Sequence, residues 1–289
     1  LLMANALYPN PAAHLLMANA LSLFELLGAA LAKSLYEGIL VELPLAPFFL
    51  NRLLGRTNTV NDLPALDPQL YRSLLFLKSF DGNFSSLCLS FSVDEFTSPD
   101  LPANARRQVA LLPGGADVAV TRENRTEFIY RVANFRLNAQ MRRPCEALLR
   151  GFEQVVPRSW IHLYSPAELQ LVLGGSDGPL DLDDWRAHTH YSGGYHDEHP
   201  VVARFWAVLG SFDPRQQAAT LKFATSCSRP PLMGFKWLQP SFCIHRATAE
   251  EGRLPTSATC MNLLKLPPYD SLDGMRERLS YAIDAGAGF

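Results

Sequence analysis

The amino-acid sequence predicts an α+β fold in two lobes, with a larger, mostly helical N-terminal lobe and a smaller C-terminal lobe that mixes helices and strands. Apolar side chains recur mainly at helical spacing in the first lobe, residues 1–173, whereas the second lobe, residues 177–289, contains two short extended segments. Between the lobes, the glycine pair that opens GGSDGP has the backbone freedom of a linker. We therefore expect the domain boundary in this linker, at residues 174–179.

Two helices are predicted early in the first lobe. Residues 21–40 carry apolar side chains three and four positions apart, with charged residues on the other side, which indicates an amphipathic helix. Asp67 can cap a second helix that has proline in its first turn. The leucines Leu70, Leu74 and Leu77 of that helix lie four and three residues apart and form one apolar stripe.

The middle of the first lobe is predicted to contain a strand, a hairpin and a long helix. The segment SLCLSFSV, residues 86–93, alternates apolar side chains with small or polar ones, as a half-buried strand does. VALLPGGADVAV resembles a β-hairpin that turns at Gly114-Gly115. Thr121 can cap a helix that is long, amphipathic and bent or broken near Pro144.

The second lobe is predicted to begin with helices and to end with strands and one more helix. The helices extend over residues 182–190, 200–212 and 214–226, the strands over 241–247 and 261–267, and the last helix begins at Ser271. A polar loop, TAEEGRLPTSAT, separates the two strands.

Composition and charge exclude several classes of protein. With 48% hydrophobic and 19% charged residues, the chain of 289 residues is typical of a folded domain rather than a disordered or fibrous one. The formal charge is −2 and no long basic run occurs, so nucleic acid is not an expected partner. The apolar stretch from Leu15 to Leu45 is interrupted by charged residues, which predicts that it does not cross a membrane.

Cysteine and histidine spacing predicts neither disulfides nor a metal site. The five cysteines are widely spaced and include no Cys-x-x-Cys pair, so a reducing compartment is expected, the cytoplasm or the nucleus. Four histidines, His188, His190, His196 and His199, lie within twelve residues, but their spacing is not that of a His-Glu-x-x-His motif.

The N-terminal sequence LLMANAL occurs twice, at residues 1–7 and 15–21. A solenoid repeat would continue beyond two copies and have a longer period, so we interpret the duplication as a gene-model artefact. Because residue 1 is leucine, we expect the chain to be a fragment of a longer protein.

Cys260 lies where the polar segment RLPTSATC gives way to the apolar segment MNLLKL. A thiol at such a junction between loop and strand can be exposed. From this pattern alone, however, a single cysteine is more often a small inert core residue than a nucleophile.

Beyond this pattern, RLPTSATCMNLLKLPPY closely resembles the active-site segment of HECT-type ubiquitin ligases, in which Leu-Pro-Thr-Ser-x-Thr-Cys ends at the acceptor cysteine. Seven other stretches agree in the same order and extend the resemblance over residues 8–289: LYEGILVELPLAPFFLNRLLGR, DPQLYRSLLFLKSFDGN, LRGFEQV, PAELQLVLGG, YSGGYHDEHPVV, LKFATSCSRPPLMGF and YAIDAGAGF. The pattern is most similar to the branch with a long N-terminal extension, in which some members carry an IQ motif.

The resemblance implies a bilobal HECT domain with a partial N-lobe and a transfer in two steps. Ubiquitin passes from the cysteine of a conjugating enzyme to Cys260, and a lysine of a protein substrate then attacks the new thioester. The implied partners are a ubiquitin-conjugating enzyme, ubiquitin and protein substrates, and no cofactor is implied. Sulfur suits this chemistry because exchange of one thioester for another changes little in bond energy.

The resemblance also implies a docking groove for the conjugating enzyme within about residues 44–130 of the first lobe. The implied groove residues are Leu70, Leu74, Leu77, Phe80, Leu87, Leu89 and Phe128. From the pattern alone such a leucine stripe is more often simple core. We expect Phe128→Ala to weaken binding of the conjugating enzyme more than Arg125→Ala does.

Further residues have implied roles around the hinge and the cysteine. Residues 174–176 match the family's hinge, and Phe289 matches a phenylalanine near the family's C-terminus that helps to position the lobes. Thr259 and Asn262 flank the cysteine and are expected to hydrogen-bond the reacting groups, although such side chains more often bond nearby backbone. No general base is evident in the sequence.

Two other functions remain open at this point. The chain can be a catalytically incomplete adaptor that binds a conjugating enzyme without turnover. It can also be a cysteine hydrolase, which requires a histidine within hydrogen-bond reach of Cys260.

Overall fold

The chain folds into two compact units. The computed structural model describes residues 6–95, 108–248 and 253–285. The first unit contains Leu1–Lys33 and Pro44–Leu169, and the second contains Ser34–Leu43 and Gln170–Phe289. Along these three described stretches, no helix combines the length and the apolar character that crossing a bilayer requires.

Eight helices begin in the first 170 residues of the described chain. They are α1 (Ala13–Leu16), α2 (Ala20–Glu37), α3 (Pro47–Leu53), α4 (Pro68–Ser79), α5 (Arg125–Asn134), α6 (Arg142–Glu153), α7 (Arg158–Ile161) and α8 (Pro166–Gly174). The two predicted early helices are confirmed as α2 and α4. Asp67 caps α4, because its Oδ1 accepts a hydrogen bond of 2.8 Å from the Leu70 N–H.

Helices α2 and α6 cross with their backbones in close contact, because each has a glycine at the crossing. A Cβ atom on Gly28 would lie 1.9 Å from the carbonyl oxygen of Leu148. A Cβ atom on Gly151 would lie 1.7 Å from the carbonyl oxygen of Glu25. Any side chain larger than hydrogen therefore pushes the two helices apart.

The segment 86–93 is mostly not a strand, so this prediction was wrong over most of its length. Phe84–Leu87 forms a 3-10 turn, and Cys88 ends that turn in the left-handed region with a φ of 49°. Only Ser92–Asp94 forms a strand, β1, which pairs antiparallel with β2, Gln108–Ala110. Alternating polarity shows which side chains face a core but does not supply the partner strand.

The predicted hairpin at Gly114-Gly115 was also wrong. Its first arm pairs with β1, and Ala119 of its second arm bridges to Ser90. The residues between the two arms pass close to Phe91. A Cβ atom on Gly115 would lie 2.4 Å from the Phe91 carbonyl oxygen. The glycine is needed for this close approach rather than for a hairpin turn.

The long helix predicted from Thr121 is two helices, α5 and α6, joined by a π-helical turn at Phe135–Ala139. Thr121 does not cap it, because its N–H donates to Asn124 Oδ1 at 2.7 Å and α5 starts at Arg125. The predicted break near Pro144 is confirmed, since this proline lies in the first turn of α6, where no backbone donor is needed.

In its described residues from 177 onward, the second unit packs four helices against a four-stranded sheet. The helices are α9 (Leu182–Ala187), α10 (Pro200–Ser211), α11 (Pro214–Thr225) and α12 (Leu272–Asp284), and the strands are β3 (His190–Ser192), β4 (Cys243–Arg246), β5 (Thr256–Ala258) and β6 (Leu263–Leu266). The strand order is β3-β4-β6-β5, with β5 antiparallel to β6 and the other pairs parallel. The core of this unit contains Trp185, Phe205, Ile244, Leu264 and Leu279.

Most elements of the second unit agree with the sequence prediction. Helices α10, α11 and α12 and strands β4 and β6 are confirmed, and Asp213 and Ser271 cap their helices as local signals indicate. Strands β3 and β5 were missed, because the first lies at the end of a predicted helix and the second lies in a predicted loop.

Candidate active site and partner groove

Cys260 lies on a tight turn between two paired strands of the second unit. Strand β5 ends at Ala258, a 3-10 turn covers Thr259–Met261, and β6 begins at Leu263. Because β5 and β6 are antiparallel neighbours, the turn reverses the chain at one end of the sheet. Cys260 is exposed there, and α11 packs beside the turn. The thiol is therefore accessible to a second protein.

The two residues predicted to assist Cys260 have different environments. Thr259 is half-buried in the turn. Asn262 is only 4% exposed, and its side-chain amide donates a hydrogen bond of 2.6 Å to the carbonyl oxygen of Pro240. The Asn262 amide nitrogen is thus bonded to the backbone before β4.

No histidine is hydrogen-bonded to Cys260 among the residues that the structure describes. His245 lies on β4, and its Nδ1 is 2.9 Å from the hydroxyl oxygen of Ser192 on β3. A cysteine hydrolase needs its imidazole on the thiol. This arrangement argues against that alternative.

The five cysteines differ in accessibility. Cys145 and Cys227 are buried, and burial raises the pKa of Cys145 to about 11 and also raises the pKa of Cys227. Cys243 is half-buried, with its sulfur 3.4 Å from Ser192 Oγ. Cys88 and Cys260 are exposed. Exposure alone does not distinguish these two thiols, so Cys88 is a natural control for experiments on Cys260.

The residues predicted for the partner groove divide into buried and half-buried groups. Leu74, Leu77 and Phe128 are buried, and the ring of Phe128 packs edge-on against Phe91 at a centroid distance of 5.4 Å. The half-buried residues are Leu70, Phe80, Leu87 and Leu89. Part of the predicted groove is therefore core of the first unit.

An aromatic row in the same region was missed by the sequence analysis. Phe76 on α4 is 56% exposed, and its ring lies 5.3 Å from that of Phe80, which lies 5.2 Å from that of Phe84. Leu75, beside Phe76, is also exposed. The four-residue spacing of Phe76 and Phe80 was the available signal, because residues four apart share one face of a helix.

Arg125, the comparison residue in the Phe128→Ala prediction, contacts this aromatic row. Its Nη1 donates a hydrogen bond of 2.8 Å to the carbonyl oxygen of Phe80, and its guanidinium carbon lies 5.9 Å from the centroid of Phe84. Phe128 is 5% exposed. Substitution of either residue changes the packing of the first unit, so the pair does not separate binding from folding.

The segment predicted as the hinge packs closely against the loop after α11. Gly174 ends α8, and Gly175 has a φ of 86°. A Cβ atom on Gly175 would lie 2.7 Å from the Pro230 carbonyl oxygen, and the Ser176 N–H donates to that same oxygen at 2.8 Å. Both the left-handed backbone and the close contact require glycine at position 175.

Glu42 is far from this loop in sequence but is hydrogen-bonded to it. Its two carboxylate oxygens accept hydrogen bonds of 2.9 Å each from the N–H and the hydroxyl of Ser228. Partial burial opposes ionisation, but these bonds and the nearby Lys222 outweigh it and lower the pKa of Glu42. The carboxylate therefore stays ionised and anchored near neutral pH.

The remaining candidates carry little functional information. Phe289 lies outside the described residues. Among the clustered histidines, His188 contacts the carboxylate of Asp184, and His199 caps α10. Within residues 6–95, 108–248 and 253–285, no three histidine, cysteine or acidic side chains are grouped as metal ligands.

Comparison with known proteins identifies the family. The model of the family described as HECT-domain (ubiquitin-transferase) matches residues 3–289. This chain belongs to the HECT-domain family. The resemblance found in the sequence and the predicted α+β class are both confirmed.

Several curated relatives of this HECT chain are named as ubiquitin ligases. It is 49% identical to the E3 ubiquitin-protein ligase UPL6 of Arabidopsis thaliana and 39% identical to the ubiquitin-protein ligase E3B of Homo sapiens. Each alignment covers 98% of this chain, but only 28% and 29% of the respective relatives. The HECT chain thus spans less than a third of the length of these relatives.

Proposed function

We propose that this chain is the catalytic domain of a ubiquitin-protein ligase that carries ubiquitin as a thioester on Cys260. The observation that carries the proposal is the exposed thiol of Cys260 at the apex of the β5–β6 turn, inside the region that the family model matches. A thiol in this position can meet a thioester that is held by another protein.

The proposed first step exchanges one thioester for another. The Cys260 thiolate attacks the carbonyl carbon at the C-terminus of ubiquitin, the bond to the cysteine of the conjugating enzyme breaks, and that cysteine leaves as a thiolate. Cys260 loses one proton when it becomes a thiolate, and the leaving thiolate takes up one proton, so the exchange releases no proton overall. Because the two thiols are chemically similar, the exchange needs little driving force and no strong base.

The proposed second step forms an amide. A lysine amine of the substrate attacks the Cys260 thioester, the carbon–sulfur bond breaks, and the amine loses a proton while Cys260 returns to a thiol. An amide is more stable than a thioester, so this step is favourable overall. Cys260 is therefore the nucleophile in the first step and the leaving group in the second.

We further propose that the conjugating enzyme docks on the partly open surface around Phe76, Phe80, Leu87 and Leu89. The exposed ring of Phe76, the ring of Phe80 beside it and the half-buried side chains of Leu87 and Leu89 present apolar area that a partner can cover. Aromatic side chains of this kind are frequent anchors in protein interfaces. The buried residues Leu74, Leu77 and Phe128 belong to the core of the first unit and are not part of this proposed surface.

Phe76→Ala is expected to weaken binding of the conjugating enzyme about tenfold, which corresponds to about 1.4 kcal/mol. The loss follows from removing an exposed ring that contributes contact area but little to the core. The matched control is Lys78→Ala, an exposed position two residues later that lies on another face of α4. The dissociation constants are measured by calorimetric titration, and equal values for the two variants would remove Phe76 from the interface.

Gly174, Gly175 and Ser176 are proposed as the hinge about which residues 177–289 rotate during transfer. The conjugating enzyme is proposed to bind the first unit, whereas Cys260 belongs to the second. Reacting sulfur and carbonyl carbon must approach to about 3–3.5 Å, which a rotation about a few residues can achieve. The left-handed conformation of Gly175 is compatible with this role.

A thioester assay tests the proposed function. The chain is incubated with activating enzyme, conjugating enzyme, ATP and ubiquitin, and the products are separated with and without a thiol reductant. We expect an adduct of one ubiquitin that disappears with the reductant, since thiols cleave thioesters. Binding of the conjugating enzyme without any adduct would instead support the adaptor function.

A further inference from the structure

Asn262 ends the Cys260 turn in a backbone conformation that few side chains tolerate. Its φ is 46° and its ψ is 43°, which is the left-handed helical region. Non-glycine residues are uncommon there, and asparagine is among the few that adopt it readily. This conformation lets the chain leave the 3-10 turn and enter β6 within one residue.

Three hydrogen bonds converge on Asn262 from different parts of the second unit. Its N–H donates to the carbonyl oxygen of Thr259 at 3.2 Å, which closes the turn. Its carbonyl oxygen accepts from the N–H of Cys243 at 3.0 Å, at the start of β4. Its side-chain Nδ2 donates to the carbonyl oxygen of Pro240 at 2.6 Å.

The side-chain bond is partly shielded from water. Asn262 is 4% exposed and Pro240 is exposed, so the bond connects a buried donor to an acceptor at the surface and fixes Asn262 to the segment before β4. The turn itself contributes little packing, because none of its residues is buried, and both Cys260 and Met261 are exposed. The position of the Cys260 backbone is therefore determined by the paired strands β5 and β6 at the two ends of the turn, by Asn262 and by α11 beside it.

We propose that Asn262 is the positioning residue of the acyl transfer, holding the Cys260 turn at a set place on the sheet through its bond to Pro240. This proposal rests on the proposed function of Cys260. Asn262 acts through the turn and does not touch the ubiquitin thioester. A misplacement of about 1 Å at a reacting group can lower a rate about a hundredfold, so the position of the sulfur has a direct kinetic consequence.

Two substitutions separate the side-chain bond from the backbone conformation. Asn262→Gly keeps the left-handed backbone at no steric cost and removes the donor. Asn262→Asp keeps the side-chain shape and tolerates the same conformation, but places a carboxylate oxygen against the carbonyl oxygen of Pro240. Both variants leave the apolar core of the second unit unchanged.

The test is single-turnover transfer of ubiquitin from a charged conjugating enzyme to Cys260, measured at increasing concentrations of that enzyme. We expect Asn262→Gly to lower the maximal rate about 10- to 100-fold and Asn262→Asp to lower it at least as much. The half-saturating concentration should stay within about twofold of wild type, because docking is proposed to use the other unit. The rate at which iodoacetamide alkylates Cys260 should also stay within about twofold, since exposure of the thiol is unchanged.

Each outcome has a distinct meaning. A maximal rate equal to that of wild type in Asn262→Gly overturns the positioning role and leaves Cys260 as the nucleophile. Parallel changes in the maximal rate, the alkylation rate and the melting temperature indicate a general structural role and also overturn it. If the wild type forms no adduct, the proposed function itself fails.

Discussion

Cys260→Ala is expected to abolish the thiol-labile ubiquitin adduct and every later transfer to lysine. Alanine cannot form a thioester, and the loss should therefore be complete rather than partial. The methyl side chain of alanine fits wherever the exposed thiol lies, so the variant should keep the fold of the second unit. The adduct is measured by non-reducing electrophoresis after incubation with a charged conjugating enzyme.

Cys88→Ala is the matched control for this experiment. Cys88 is the other exposed cysteine of the chain, and its removal tests whether any accessible thiol accepts ubiquitin. We expect the Cys88 variant to form the adduct at the rate of wild type. If Cys260→Ala keeps the adduct while Cys88→Ala loses it, the nucleophile has been assigned to the wrong cysteine.

Gly151→Ala is expected to destabilise the first unit by about 2 kcal/mol or more. Alanine normally stabilises a helix interior by about 1 kcal/mol relative to glycine, but overpacking of a tight contact costs about 1–3 kcal/mol or more. The added Cβ atom would lie 1.7 Å from the backbone oxygen of Glu25, a separation that rotation of a side chain cannot relieve. Gly28→Ala should have a similar effect from the other side of the crossing.

The control for this prediction is Gly210→Ala, the same substitution in a helix with free space around it. No atom lies within 4 Å of a Cβ atom built on Gly210, so the variant should be neutral or slightly stabilising. Chemical denaturation of the three variants measures the effect. Equal stabilities of Gly151→Ala and Gly210→Ala would show that α2 and α6 do not pack as closely as described.

Helices with strong local signals could be predicted from the sequence. The caps Asp67, Asp213 and Ser271 each lie next to the helix that they start, and the information needed is contained in a few adjacent residues. The break before Pro144 is local in the same sense. By contrast, Thr121 has the chemistry of a cap, but Asn124 bonds its backbone and moves the helix start to Arg125.

Strands could be predicted less well, because a strand depends on a distant partner. Residues 86–93 have the alternation of a strand, yet only their last part finds a neighbour, in β2. Strand β5 is the opposite case, a strand without a strand pattern. Its polar sequence resembles a loop, and pairing with β6 makes it extended. Contact between segments that are far apart along the chain overrides such local patterns.

The candidate site could be predicted only in part. The resemblance of RLPTSATC to an active-site segment identified Cys260 as the candidate nucleophile. The structure adds that this residue lies on an exposed turn. Helical spacing found the stripe of Leu74 and Leu77 but could not show that it faces the core. The bond from the buried Asn262 to Pro240 joins residues 22 positions apart in sequence, and no pattern predicts it.

Peptide mapping of the ubiquitin adduct by mass spectrometry tests the central claim most directly. The adduct is formed from a charged conjugating enzyme, kept free of reductant, digested and fragmented. We predict that the C-terminal peptide of ubiquitin is linked through sulfur to the peptide that contains Cys260. A ubiquitin remnant on any other residue, with an unmodified Cys260 peptide, would contradict the account.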